Sequence, residues 1–172
     1  KAGHRNIDAA TNYPINKNPV DFRAAEKILY EYVQAHGLRD LRITMKIGSL
    51  DNLRSPDVNL AASFIQMMGE EYLRQFQDNL YGIMFHWDHR ADEPAIHTSL
   101  EALQRLSTEF GLQPGLSGIA HPEAYAQANA DLGLVFDIQI KHNIFQSDYE
   151  RYKPLQASSP HHPPHTFIAY GI

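Results

Sequence analysis

The sequence contains no cysteine among its 172 residues. Disulfide scaffolds, thiolate zinc sites and cysteine nucleophiles are therefore excluded, and the absence fits a reducing, cytoplasmic location. Long apolar runs are lacking too, since no stretch approaches the roughly 20 apolar residues that a membrane-spanning helix needs. The opening residues do not resemble a signal peptide. We therefore expect a soluble cytoplasmic protein with no membrane partner.

Positive charge is also scarce, with 15 lysines and arginines against 20 acidic residues and a net charge of -5 at pH 7. This balance gives no electrostatic reason to expect nucleic acid or an anionic membrane as a partner, so it favours a small molecule. The 43% hydrophobic content is enough for the core of a single domain over residues 1–172. Because Lys1 stands in place of a methionine, we expect the chain to be part of a longer one.

Short β-rich runs recur along the chain, and helical patterns lie between them. This alternation is typical of βα units with a parallel sheet. Four apolar stripes at helical spacing predict buried helix faces, and the proline-rich segment 158–165 predicts a loop. The stripes consist of Phe22, Ala25, Ile28, Leu29, Tyr32 and Val33, of Leu60, Phe64, Met67, Met68 and Leu73, of Ile96, Leu100, Leu103 and Leu106, and of residues 122–131. The six predicted strands cover residues 6–9, 42–47, 80–86, 116–119, 135–140 and 167–170.

Polar residues decide between an open sheet and a barrel. In a (β/α)8 TIM barrel the chemistry lies at the carboxyl ends of several strands at once. Here one polar or charged residue stands at or near the end of each of five separate runs, which favours the barrel. These residues are Asp8, Lys46, His86, Gln139 and Tyr170.

Three segments resemble the aldo-keto reductase family. Residues 2–13 are similar to its Gly-x-Arg-x-Ile-Asp-Thr-Ala-x-x-Tyr segment, residues 43–46 to the strand that ends in its lysine, and residues 81–87 to the strand that ends in its His-Trp pair. The resemblance runs from the second to the seventh strand of the family barrel. It implies an incomplete barrel of about six βα units, because the first and eighth strands have no counterpart.

The resemblance implies a catalytic set of Asp8, Tyr13, Lys46 and His86, with Trp87 at the substrate pocket. The residue types fit the chemistry of carbonyl reduction, which needs a proton donor at the carbonyl oxygen. We choose Tyr13 as the donor, since a neighbouring ammonium favours phenolate and a carboxylate keeps that ammonium charged. His86 would bind the substrate oxygen. A structural ion pair between Asp8 and Lys46 is the alternative reading.

The resemblance also implies a nicotinamide cofactor, NADP being the usual choice in the family and NAD the possible one. Gln139 is similar to the glutamine that holds the carboxamide, and Tyr170 to the tyrosine that stacks on the nicotinamide ring. After its fifth strand the family has Gly-Val-Ser-Asn, whereas this chain has Ala120 and His121 at the last two positions. We expect His121 to replace the asparagine contact.

These residues together indicate an oxidoreductase that reduces an aldehyde or ketone to an alcohol with hydride from NADPH or NADH. One alternative is a non-catalytic, aldo-keto-reductase-like subunit with a binding or regulatory role. A second is a degenerate or truncated paralogue with no cofactor site, which Ala120 and the two strands without a counterpart would support. We expect no metal site, because the histidines at 161, 162 and 165 lie among prolines with no acidic or cysteine partner. The sequence does not indicate which carbonyl compound is reduced, nor the oligomeric state.

Overall fold

The computed structural model describes residues 3–156 and 163–171. Within these ranges the predicted alternation of strands and helices is confirmed. All six strands lie in one parallel sheet, in which spatial order follows chain order. The strands are β1 Asn6–Ala10, β2 Arg42–Ile47, β3 Leu80–His86, β4 Gln113–Ser117, β5 Asp137–Lys141 and β6 Thr166–Tyr170.

Helices connect successive strands and cover one face of the sheet. The α-helices are α1 Ala24–His36, α2 Ala62–Phe76, α3 Glu93–Phe110, α4 Pro122–Ala128 and α5 Lys153–Gln156. Short 3-10 turns occupy Pro19–Asp21, Gln77–Asn79 and Tyr149–Tyr152. Of the predicted loop 158–165, residues 158–162 lie outside the described ranges. No helix in the described part of the chain combines the length and apolarity needed to cross a membrane.

The sheet is strongly curled. In a flat sheet β1 and β5 would be separated by four strand spacings, or roughly 19 Å at about 4.8 Å each. Instead, the Gln139 amide of β5 donates a hydrogen bond of 2.8 Å to the Asp8 carboxylate of β1. Such a contact requires the sheet to curl so that the side chains of β1 and β5 meet across its concave face. The architecture is a six-stranded parallel half-barrel, compatible with part of a (β/α)8 barrel.

The two faces of the curled sheet differ in composition because side chains alternate along a strand. In β2, Ile43, Met45 and Ile47 point outward and are fully buried against the helices. Thr44 and Lys46 alternate with them and border the cavities on the inner, concave side. The hydrophobic core therefore lies between the sheet and the helices, and the concave face is polar.

Strand β4 differs from the prediction, since it begins at Gln113 and ends at Ser117 rather than covering 116–119. Pro114 and Gly115 resemble a turn signal but lie within the strand. A side chain at Gly115 would meet Met84 at 2.6 Å and the Asp137 carbonyl oxygen at 3.0 Å. The glycine is required by close packing between strands, which local sequence patterns do not reveal.

Helix α1 buries only part of its predicted apolar stripe, since Val33 is buried and Leu29 packs against the core. Ile28 and Tyr32 were expected in the core but are 65% and 56% exposed. The buried positions include Glu26, whose carboxylate is satisfied by the Arg23 guanidinium and the Tyr72 hydroxyl. A buried carboxylate is tolerated where such partners compensate its lost hydration.

Helices α2 and α3 pack against each other through a glycine. Met67 was expected on the buried stripe of α2 but is 51% exposed, whereas Tyr72 and Phe76 are buried. A Cβ atom at Gly69 would lie 2.6 Å from the Leu106 side chain of α3, so a larger residue there would displace that side chain. On α3 the predicted buried stripe is confirmed at all four positions, Ile96, Leu100, Leu103 and Leu106.

Candidate active site

A cavity of about 440 Å³ opens on the concave side of the sheet, at the carboxyl ends of the strands. This is the end at which barrel enzymes carry their chemistry. Seven of the eight residues that the sequence indicated border it. The lining residues are Asp8, Tyr13, Ile15, Lys46, His86, Trp87, Ser117, Gln139, Ile168, Ala169 and Tyr170.

The Lys46 ammonium is the centre of the site. It is buried, at 2% exposure, and donates to the Asp8 carboxylate at 2.6 Å, the Tyr13 hydroxyl oxygen at 2.9 Å and the Gln139 amide oxygen at 3.2 Å. Three acceptors use all three donors of an ammonium. The side chain is therefore fixed, and its charge is balanced by a carboxylate that remains 44% exposed.

A closed hydrogen-bond circuit joins three strands around this ammonium. Asp8 uses one carboxylate oxygen for Lys46 and the other for the Gln139 amide nitrogen, at 2.8 Å. The Gln139 amide oxygen accepts from Lys46 and from the Ser117 hydroxyl, at 3.3 Å. The circuit fixes the direction of each polar group before any ligand arrives.

Tyr13 reaches this circuit from the loop that follows β1. Its backbone N–H donates to the Ala10 carbonyl oxygen at 3.1 Å, which turns the chain sharply out of the strand. The rest of the loop is held by Asn52, a fully buried amide from the loop after β2. Asn52 donates to the backbone oxygens of Pro14, at 3.3 Å, and Asn18, at 2.6 Å.

His86 ends strand β3 and faces the Tyr13 ring edge-on, with 5.9 Å between ring centroids. Burial and, secondly, the nearby Lys46 ammonium lower the pKa of the His86 imidazole to about 3. The ring is therefore neutral near pH 7. Its Nδ1 atom has no hydrogen-bond partner among the described residues. That atom is itself buried, whereas the ring as a whole borders the cavity. A neutral imidazole has one N–H donor and one acceptor nitrogen with which to bind a ligand.

Two aromatic side chains form walls of the cavity. Trp87 follows His86, with its indole 4.9 Å from the imidazole between centroids. Tyr170 ends β6 and is 42% exposed. Burial is the main factor that raises the pKa of the Tyr170 phenol, so this ring is an uncharged surface. Flat rings at the mouth of a polar cavity suit a planar ligand.

His121 does not border the cavity. It precedes α4, and its Nδ1 atom lies 3.0 Å from the Glu123 carboxylate. The polar group that β4 does supply to the cavity is Ser117, which the sequence reasoning missed. Ser117 lies level with His86 in the strand register, so correct strand bounds and the alternation of side chains would have indicated it.

The arrangement holds a phenol beside an ammonium, a neutral imidazole and an amide around one cavity. Because Lys46 donates to the phenol oxygen, the phenol proton remains free to be given to an acceptor in the cavity. A group placed there would meet a proton donor and a second hydrogen-bonding group from two different strands. This is a geometry for general acid catalysis at an oxygen.

No family model matches the sequence, and no curated protein is significantly similar to it.

Proposed function

We propose that this protein is an aldo-keto-reductase-like oxidoreductase that reduces an aldehyde or ketone to an alcohol with hydride from NADPH or NADH. The observation that carries the proposal is the 2.9 Å contact between the Lys46 ammonium and the Tyr13 hydroxyl, beside His86 in one cavity. Carbonyl reduction requires a proton donor next to the carbonyl oxygen, and the Tyr13 hydroxyl at the cavity wall is suited to that role. The cytoplasmic location and the preference for NADP stay predictions.

Tyr13 donates the proton in this mechanism. Its O–H bond breaks as the substrate oxygen acquires negative charge, and the proton passes to that oxygen to give the alcohol. The phenolate left behind is stabilised by the Lys46 ammonium, which Asp8 in turn keeps charged and oriented. The circuit is already formed in the structure, so little reorganisation is needed during the reaction.

His86 positions the substrate oxygen rather than protonating it. An imidazole whose pKa is about 3 carries no extra proton near pH 7 and is a poor general acid there. The ring borders the cavity, where a neutral imidazole can donate its one N–H to a carbonyl oxygen. A role in orientation fits both its burial and its edge-on packing against Tyr13.

The cavity has the donor set for a nicotinamide. At about 440 Å³ it lies within the roughly 300–1,000 Å³ typical of ligand sites. Tyr170 offers a ring for stacking. Ser117 donates to Gln139, so the Ser117 hydroxyl oxygen retains its lone pairs and the Gln139 amide retains one hydrogen for a carboxamide. When bound, the reduced cofactor would supply the hydride.

The proposal is tested by carbonyl reduction with the full-length protein. Oxidation of NADPH is followed by absorbance with a panel of aldehydes and ketones, and nucleotide affinity is measured by fluorescence titration. Tyr13→Phe should reduce turnover at least about a hundredfold, the lower limit for general acid catalysis. Nucleotide affinity should stay within about twofold, because the substitution keeps the ring and removes one hydroxyl.

The matched control is Tyr32→Phe, which changes the same residue type on the exposed side of α1. It should leave turnover and nucleotide affinity unchanged. Near-normal turnover in the Tyr13→Phe protein would contradict the proposed proton donor. Nucleotide binding without reduction of any carbonyl compound would instead support the non-catalytic alternative, a binding or regulatory subunit.

A further inference from the structure

Trp87 is held in a conformation that bulky residues rarely adopt. It is the only tryptophan of the chain, and its φ of 59° lies in the left-handed region. Such a conformation is strained for a large side chain and persists only where the surrounding structure enforces it. Gly118 provides the space, since a Cβ atom there would lie 2.5 Å from the indole. The tryptophan therefore lies directly against the loop that follows β4.

A buried charge network lies immediately behind Trp87. The Asp88 carboxylate is fully buried. It accepts two hydrogen bonds from the Arg90 guanidinium, at 2.8 and 3.0 Å, and one from the Tyr125 hydroxyl of α4, at 2.5 Å. We call these three residues the Asp88 network.

Backbone hydrogen bonds hold the chain on both sides of Trp87, next to the Asp88 network. The Trp87 N–H donates to the Ser117 carbonyl oxygen, and the Asp88 carbonyl oxygen accepts from the Ala120 N–H, each at 2.9 Å. Removing one partner of a buried ion network leaves a charge or hydroxyl unsatisfied and is strongly unfavourable. The Asp88 network therefore joins the loop after β3 to helix α4, and the backbone bond from Ala120 to Asp88 joins that loop to the one after β4.

We propose that the Asp88 network positions Trp87 as a wall of the cavity and thereby determines how tightly the carbonyl substrate is held. Asp88, Arg90 and Tyr125 are positioning residues, because none of them lines the cavity and Trp87 does. The statement about substrate rests on the proposed reductase function. The statement about Trp87 does not, because its conformation is a property of the protein alone.

A second network of the same chemistry provides a matched control. Glu26 is buried, accepts two hydrogen bonds from the Arg23 guanidinium at 3.1 and 3.2 Å, and accepts one from the Tyr72 hydroxyl at 2.9 Å. It joins α1 to α2 on the helical side of the sheet. None of its residues borders the candidate site. Loss of one tyrosine hydroxyl from either network is therefore the same chemical change in two places.

The test compares Tyr125→Phe with Tyr72→Phe in the full-length protein. Trp87 is the only tryptophan among the 172 residues, and the emission of a Trp87→Phe protein is subtracted so that the remaining signal reports on position 87. Acrylamide quenching and the emission maximum are measured in this way without any ligand. Tyr125→Phe should increase quenching and shift the emission to longer wavelength. In carbonyl reduction it should raise KM about tenfold and keep kcat within about twofold, the pattern expected when uniform binding is lost. Tyr72→Phe should change neither measurement.

Two results would overturn the inference: unchanged emission and quenching in Tyr125→Phe, or equal changes in both variants. If Tyr125→Phe does not fold, Arg90→Lys replaces it, because lysine keeps the charge but loses the planar, two-bond geometry. An altered Trp87 signal in a protein without reductase activity would support the positioning role and contradict the proposed function. Normal carbonyl reduction by Tyr125→Phe, with unchanged KM and unchanged emission, would support the proposed function and contradict the positioning role.

Discussion

The outer and inner faces of the sheet use the same strands for different purposes. On the outer face of β2, Met45 is fully buried among apolar neighbours. On the inner face the next residue, Lys46, makes three polar contacts around a cavity. Because adjacent residues serve opposite faces, stability and chemistry are separated by a single position along the strand. Substitutions on the two faces should therefore have separable effects.

The largest expected effect is on the inner face. Lys46→Met in the full-length protein should reduce turnover by about 10² to 10⁴, because it removes the ammonium that stabilises the Tyr13 phenolate. The double variant with Lys46→Met and Tyr13→Phe should lose much less turnover than the product of the two single losses, since both residues act through one proton. The turnover numbers of the wild-type protein, the two single variants and the double variant are the measurement.

Lys27→Met is the control for charge removal, since Lys27 is 76% exposed on α1. It should leave turnover unchanged. If the loss of turnover in the double variant equals the product of the losses in Lys46→Met and Tyr13→Phe, the two residues act independently. That result would contradict the proposed mechanism.

The next effect belongs to the outer face. Met45→Ala should lower the free energy of unfolding by about 2–5 kcal/mol, because it leaves a cavity in a fully buried position. Turnover per folded molecule should stay within about twofold. Chemical denaturation and a titration of active sites measure the two quantities separately. A large loss of turnover in the folded Met45→Ala protein would mean that the two faces are not separable.

A smaller effect tests the burial of His86. The folded protein keeps this imidazole neutral down to about pH 3, whereas the unfolded chain binds the proton near pH 6.5. The stabilising contribution is therefore present above pH 6.5 and is lost as pH falls toward 3. Between pH 7 and pH 5 the free energy of unfolding should fall by about 2 kcal/mol from this group.

His86→Asn isolates that contribution, because asparagine does not titrate. Denaturation curves at pH 7 and pH 5 should show a shallower pH dependence in the variant than in the wild-type protein. Equal pH dependence in the two proteins would mean that His86 takes up a proton in the folded state at moderate pH.

The smallest effect lies in the helical layer outside the sheet. Asp92 caps α3, where its side chain accepts from the Ala95 N–H at 2.8 Å. Asp92→Ala should cost about 1 kcal/mol of stability, as expected for a lost N-cap, with turnover unchanged. Thermal denaturation and steady-state kinetics check the two parts. A loss of turnover without a loss of stability would extend the functional region into the helical layer.

Much of the inner face could be predicted from the sequence. Asp8, Lys46, His86, Gln139 and Tyr170 stand at strand ends, and parallel strands bring their carboxyl ends to one side. Local sequence patterns do not show how far a sheet curls. The contact between Asp8 and Gln139, which lie on strands four positions apart, could therefore only be seen in the structure.

The helices were less predictable because burial in them depends on partners. Glu26 is buried only because Arg23 and Tyr72 satisfy it, and the exposure of Ile28 follows from that choice of face. The Asp88 network was missed for a similar reason. Tyr125 is 37 positions away from Asp88 in sequence, and no spacing rule connects the two residues.

The Asp8–Gln139 hydrogen bond also has a consequence for folding. Its two partners are 131 positions apart in sequence, so it forms only when the first and fifth strands are both in place. Contacts at such separation carry a large loop-closure entropy and tend to slow folding. We therefore expect the ammonium circuit to be completed at a late step of folding, and a chain still growing from its amino terminus lacks it until β5 has been made. Recovery of turnover during refolding should accordingly lag behind the formation of helices.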